Sequence, residues 1–338
     1  MTDILSADVL HVLETTIVLL LAIFTGYALR KRKVLDGHST NQLSAFVVDI
    51  AFPLLVFTSM LGSADPEALA ESWYVPLAGM AVILLAMGTG VVVSPLFSRK
   101  DAVQRGSAAF AIGMPNWIFL PLPLAVSLFG MTGQRIVLLF NLGALLVFWS
   151  LGVGILQGSS PGKGSLRRVL LNPGLLATLL GILVALAFPA SRTLEGADIT
   201  RLSPALSILS ILVQAMAFLG SITVPLSMIV TGSLLAEAGT REAWNRRVIG
   251  ITFFRLLVFP GIVLGLLCLA SAAGLQLPRE ICMVLVIISA MPVAVSCSIV
   301  AEKVGGDVDL ISHAILVSTL ASVVTIPAFV WLLRLLAV

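Results

Sequence analysis

Two charged side chains stand deep inside apolar runs of this chain. Asp49 lies in NQLSAFVVDIAFPLLVF and Arg255 in VIGITFFRLLVFPGIV. A guanidinium can donate two parallel hydrogen bonds to one carboxylate, so Arg255 suits either an organic anion or Asp49 itself. Each charge falls about eight to ten residues from the predicted start of its helix, which at 1.5 Å per residue is roughly 12–15 Å deep. The comparable depth permits an Asp49–Arg255 pair if the two helices face each other. A charge near mid-membrane costs at least about 2.5–3.5 kcal/mol and is expected to face a cavity or a partner. Two readings stand open: Arg255 supplies positive charge for an anion while Asp49 pairs with it in one state, or the two form a permanent clamp or snorkel toward the interface.

Neutral polar residues gather where prolines interrupt apolar runs. In AIGMPNWIFLPLPLAVSLFG, Pro115, Pro121 and Pro123 surround Asn116, and in ISAMPVAVSCSIVAEKVGG, Pro292 precedes Ser296 and Ser298. Each proline removes a helical hydrogen bond and frees backbone groups that only protein or a watered cavity can satisfy. Helix starts exposed by such breaks carry partial positive charge, favourable to an anion. Asn116, Pro123, Pro292 and Ser296 are therefore the candidate binding residues, with Arg255 contributing charge and Ser298 secondary. Asn141 is either part of that site or a plain interhelical hydrogen bond. Glu302 is either a cation ligand or a solvated group at a helix end.

The elements that must position these residues are ten apolar stretches, at 9–29, 40–61, 73–97, 105–129, 132–157, 169–189, 204–236, 246–272, 279–301 and 308–336. With 59% of 338 residues hydrophobic and 11% charged, and about 20 apolar residues sufficient to span a bilayer, the chain reads as an all-α polytopic membrane protein. Lys and Arg in alternate connections number 14 on one side and 5 on the other, which predicts both termini outside the cytoplasm of a cell inner membrane. The net charge of +3 reflects basic helix ends beside anionic headgroups, not nucleic-acid binding. Cys268, Cys282 and Cys297 all lie in apolar runs and read as small buried residues.

Pro53 and Pro225 are separated by 172 residues, and Pro115 and Pro292 by 177. Nearly equal offsets predict that residues 169–338 repeat residues 1–157 across a cytoplasmic linker at 158–168. Five helices per copy would invert the second copy, the arrangement of transporters with discontinuous helices. Helices four and nine are then the broken pair.

The segments NWIFLPLPLAVSLFG (116–130), LLNPGLLATLLGILVAL (170–186), VPLSMIVTGSLLA (224–236) and AMPVAVSCSIVAEKVGGDVDLISHAILVSTLASVVTIP (290–327) resemble the auxin efflux carrier family, whose bacterial members include malonate- and malate-permease-like proteins. The resemblance implies helices four and nine crossing at their broken centres, a scaffold of helices 1, 2, 6 and 7, a mobile unit of helices 3–5 and 8–10, elevator-type motion and a homodimer. It also implies that the amide of Asn116 binds a carboxylate. The chain departs from the family at Pro121, where glycine is usual. It has no charge between Trp73 and Phe97, so the charged support site of the plant carriers does not carry over.

The sequence thus predicts a secondary transporter for a small mono- or dicarboxylate, which the resemblance extends to auxin-like acids, with the lipid bilayer as its other partner and no metal or cofactor. A sodium-coupled symporter of the bile-acid carrier type and a channel or receptor-like module are the alternatives. An enzyme is disfavoured because no His-Glu-x-x-His pattern or nucleophile-base constellation is present.

Overall fold

Backbone groups in hydrocarbon must pair within their own segment or in a closed barrel, and among the described residues every regular element is helical. The computed structural model describes residues 7–98, 101–157, 170–198, 200, 203–237 and 243–336. The predicted linker 158–168 lies outside the described residues, as do Arg99, Lys100, Arg201 and Arg241.

In chain order the helices are α1 (Ala7–Lys31), α2 (Gly37–Ser63), α3 (Pro66–Leu96), α4 (Ala102–Gly113), α5 (Pro121–Leu156), α6 (Pro173–Ala187), α7 (Pro204–Glu237), α8 (Arg246–Ala272), α9 (Arg279–Ser289), α10 (Ser296–Val304) and α11 (Val308–Leu335). Seven of them (α1, α2, α3, α5, α7, α8 and α11) are long and apolar enough to cross a membrane, and α6 is a shorter apolar helix. The stretches at 105–129 and 279–301 are each interrupted, between Gly113 and Pro121 and between Ser289 and Ser296. Helices four and five of the sequence reading are parted within α5 at Gly130 (φ 55°, ψ −135°), where the chain turns back on itself: a Cβ on Gly133 would collide with the Ala125 carbonyl, a contact that residues eight apart on one straight helix could not make.

Two prolines reshape their helices without ending them. Pro53 in α2 and Pro260 in α8 lack an N–H and crowd the preceding turn, and each is preceded by one widened turn, Val47–Ala51 and Phe254–Val258. There Phe52 N–H donates to the Val47 carbonyl, and Phe259 N–H to the Phe254 carbonyl, five residues back. Such π-type turns insert one extra residue into the helix. Asp49 and Arg255 both lie in them.

Helix pairs approach closely through glycine. α1 lies along α7, and a Cβ on Gly26 would collide with the Ile229 carbonyl while one on Gly232 would collide with that of Ile23. α3 lies along α5 in the same reciprocal way, with Gly79 against the Phe140 carbonyl and Gly143 against that of Pro76. Small residues at such contacts let dispersion forces act between backbones, the main source of helix association in lipid. α2 packs along α6. Thr40 and Ser233 hydroxyls meet at 2.6 Å, and Arg30 pairs with Glu237, tying α2 and α1 to the end of α7. Asp36 caps α2 by accepting the Ser39 N–H at 2.7 Å, which together with the Ser39 hydroxyl holds its carboxyl below the usual carboxylate range.

Gly232→Val should destabilise the protein by about 1–3 kcal/mol through overpacking. Gly88→Ala, with no atom within 4 Å of the added methyl, should leave stability unchanged or slightly raised. Thermal unfolding of the detergent-solubilised variants measures the contrast, and equal effects would remove the close-approach account.

Candidate functional site

The two interruptions meet. Asn116 N–H donates to the Pro292 carbonyl at 2.8 Å and Ala294 N–H to the Met114 carbonyl at 3.0 Å, a short antiparallel bridge between Pro115 and Val293. A third freed donor, Val293 N–H, is taken by the Ser318 hydroxyl of α11 at 3.1 Å. Neither proline can itself donate, so these bonds come from its neighbours.

The helix ends on either side of the bridge are treated differently. α4 and α9 end there, and the last carbonyls of a helix lack intrahelical partners and carry partial negative charge. Arg255 serves both: Nη1 donates to the Ile112 carbonyl at 2.9 Å, and Nη2 donates to the Ser289 carbonyl. Its guanidinium is 0% exposed and lies 4.5 Å from the centre of the Phe259 ring. α5 and α10 begin on the far side. Asn116 Oδ1 accepts the Phe119 N–H at 3.2 Å just ahead of α5, and α10 opens at Ser296 without a side-chain cap.

A cavity of about 110 Å³ lies against these two helix starts. One wall comes from the interruptions, with Pro115, Asn116, Trp117, Phe119, Val295 and Ser296; the other comes from Ser44, Val47 and Val48 of α2 and Ser227, Val230, Thr231 and Leu234 of α7. Among the described residues no charged side chain lines it. The Ser227 and Thr231 hydroxyls are occupied by carbonyls of their own helix. Among the described residues the Asn116 amide nitrogen and the Ser44 and Ser296 hydroxyls carry no hydrogen bond, leaving them free to donate to a ligand.

Asn116 and Ser296 are thus brought together, with Pro292 at the bridge behind them. Pro123 is half-buried in the first turn of α5, apart from the cavity lining. Ser298 gives its hydroxyl to the Val295 carbonyl at 2.9 Å, and Glu302 is exposed in the last turns of α10. Asn141 does not itself line the cavity; it accepts Trp117 Nε1–H at 3.0 Å from the unwound segment. The Asp49–Arg255 pair is not formed. Asp49 is exposed on the outward side of its widened turn, and among the described residues Arg255 has no acidic partner, only carbonyls.

Trp117, Phe119, Ser44 and Thr231 were absent from the sequence-derived set. Ser227 and Thr231, four apart on an apolar helix, form a readable polar stripe; Trp117 is indistinguishable from a core aromatic until its neighbours are known. A wider hollow of about 540 Å³, lined by Asn245, Arg246, Arg247, Asp307, Asp309 and His313, mixes both signs of charge at helix starts and suits a solvated surface.

Residues 11–164 and 161–330 match a family model described as membrane transport protein. An uncharacterised transporter of Methanothermobacter thermautotrophicus is 28% identical over 321 residues, covering 93% of this chain and 96% of that protein. Another, of Methanocaldococcus jannaschii, is 24% identical over 328 residues, covering 95% and 98%.

Arg255→Met would leave the Ile112 and Ser289 carbonyls without their donor and should cost about 2–5 kcal/mol of stability. Arg255→Lys, with one ammonium in place of a fork, should fall between. Denaturation midpoints of the three proteins decide this, and a fully stable methionine variant would contradict the capping role.

Proposed function

The chain belongs to the membrane transport protein family of auxin efflux carrier type, and from that premise we propose that it is a secondary transporter of a small organic anion, a mono- or dicarboxylate, bound at the crossing of its two interrupted helices. The observation that carries this reading is the buried Arg255, which has hydrogen-bond acceptors but no neutralising carboxylate among the described residues. A unit charge roughly 10 Å from a bound carboxylate attracts it by about 1–2 kcal/mol at an effective dielectric near 20. Arg255 then acts from behind the cavity wall while the Asn116 amide, the Ser296 hydroxyl and the start of α10 make the direct contacts.

Ten spans in two inverted copies, residues 1–157 and 169–338, complete the proposal. It is supported by the like spacing of the prolines and by the matching interruptions after α4 and α9. The scaffold comprises α1, α2, α6 and α7, and the remaining helices carry the anion past it in an elevator-type motion. This division agrees with a cavity whose opposite walls come from α2 and α7 on one side and the interruptions on the other. Homodimerisation through the scaffold, an inner-membrane location and both termini outside the cytoplasm belong to the same proposal, the last supported by the basic residues crowded into alternate connections.

Malonate, malate and indole-acetate, titrated against the purified protein, provide the test. A ligand at a hundred times its Kd stabilises the folded state by about 2.7 kcal/mol, a readable rise in unfolding temperature. Asn116→Ala should abolish that rise while the unliganded protein still folds, and Arg255→Gln should weaken affinity about tenfold. Absence of stabilisation by every carboxylate would sink the organic-anion reading.

A further inference from the structure

Taking the cavity as the anion's site, we propose that Asn141 is a positioning residue for Trp117, and that the anchored indole sets the bulk of the anion the cavity admits. Trp117 lines the cavity yet is only 7% exposed. Its polar edge is held by Asn141 Oδ1 at 3.0 Å, and its ring meets Phe148 edge-on with centroids 5.6 Å apart. Phe148 is in turn wedged between Phe110 and Trp149, at 5.8 and 5.0 Å. The indole is therefore fixed both at its N–H and along its ring.

Asn141 is 0% exposed, and its amide nitrogen is buried without any partner. A buried donor left unpaired costs stability, a cost that a leucine of similar size would avoid. What the asparagine supplies and leucine cannot is the acceptor for Trp117. Val47, Val48 and Val230 on the opposite wall are β-branched and stiff about χ1, so the indole is the wall whose placement governs width. Trp117 also directly follows Asn116, and any shift of the ring is passed to the amide that meets the anion.

Cavity width can be read without a substrate. Ser44→Cys places a thiol in the lining, and its reaction rates with a small and with a benzyl methanethiosulfonate give a bulky-to-small ratio. The parent chain, with Cys268, Cys282 and Cys297, supplies the background. Asn141→Leu should raise that ratio about tenfold by releasing the hydrogen bond, and Trp117→Phe should do the same from the donor side. In the Trp117→Phe background, Asn141→Leu should add less than about twofold, since the two changes break one contact. A ratio unchanged in Asn141→Leu, or an equal rise in both backgrounds, overturns the proposal; if Asn141→Leu does not fold, an unchanged ratio in Trp117→Phe does so. Because no carboxylate enters this assay, its failure is separable from failure of the transport reading, which rests on ligand stabilisation alone.

Discussion

Breaking two helices inside hydrocarbon releases backbone groups that have nowhere else to go, and the centre of this molecule is arranged around pairing them. Donors on one interruption find carbonyls on the other across the Pro115–Val293 bridge. The carbonyls left at the ends of α4 and α9 find the two arms of Arg255. A lone lysine could not span both ends, and an apolar residue would leave both in deficit. Each interruption thus completes the other, and neither helix could be broken alone at the same cost.

The pairing also organises charge. Arg255 faces the negative ends of two helices, while the positive ends, at α5 and α10, open toward the cavity. For the proposed anion, a lining without ionised groups avoids a permanent ion pair that it would have to displace, and leaves the fixed charge one layer back. The proposed transport role therefore assigns long-range attraction and direct recognition to different residues, Arg255 for the first and Asn116 and Ser296 for the second.

The breaks were legible because proline acts locally: Pro115 and Pro292 dictate missing hydrogen bonds wherever they stand, and Asn116 and Ser296 were readable beside them. The Asp49–Arg255 pairing was not, because depth along a helix axis gives height and says nothing of direction around the axis. Each residue lies in a turn widened ahead of a proline, where the ordinary angular count fails, and Asp49 points outward while Arg255 points inward. The Trp117–Asn141 contact joins residues 24 apart across an unwound start and the reversal at Gly130, where no helical period relates them. Apolar patterning marked the spans, and the gap it left between 129 and 132 falls where Gly130 parts α5 into two helical arms.

An α-helix advances 100° with every residue, and this gives the widened turns a meaning beyond accommodating proline. The extra residue in Phe254–Val258 resets the rotational phase between the two halves of α8. Without it, the half before Pro260 would be turned by about a quarter of a revolution relative to the half after it. The half before it buries Val248, Ile251 and Thr252, and the half after it buries Phe259, Val263, Leu264 and Leu267. The insertion therefore works as a phase shifter, allowing a single helix to turn both of its apolar faces toward the same core.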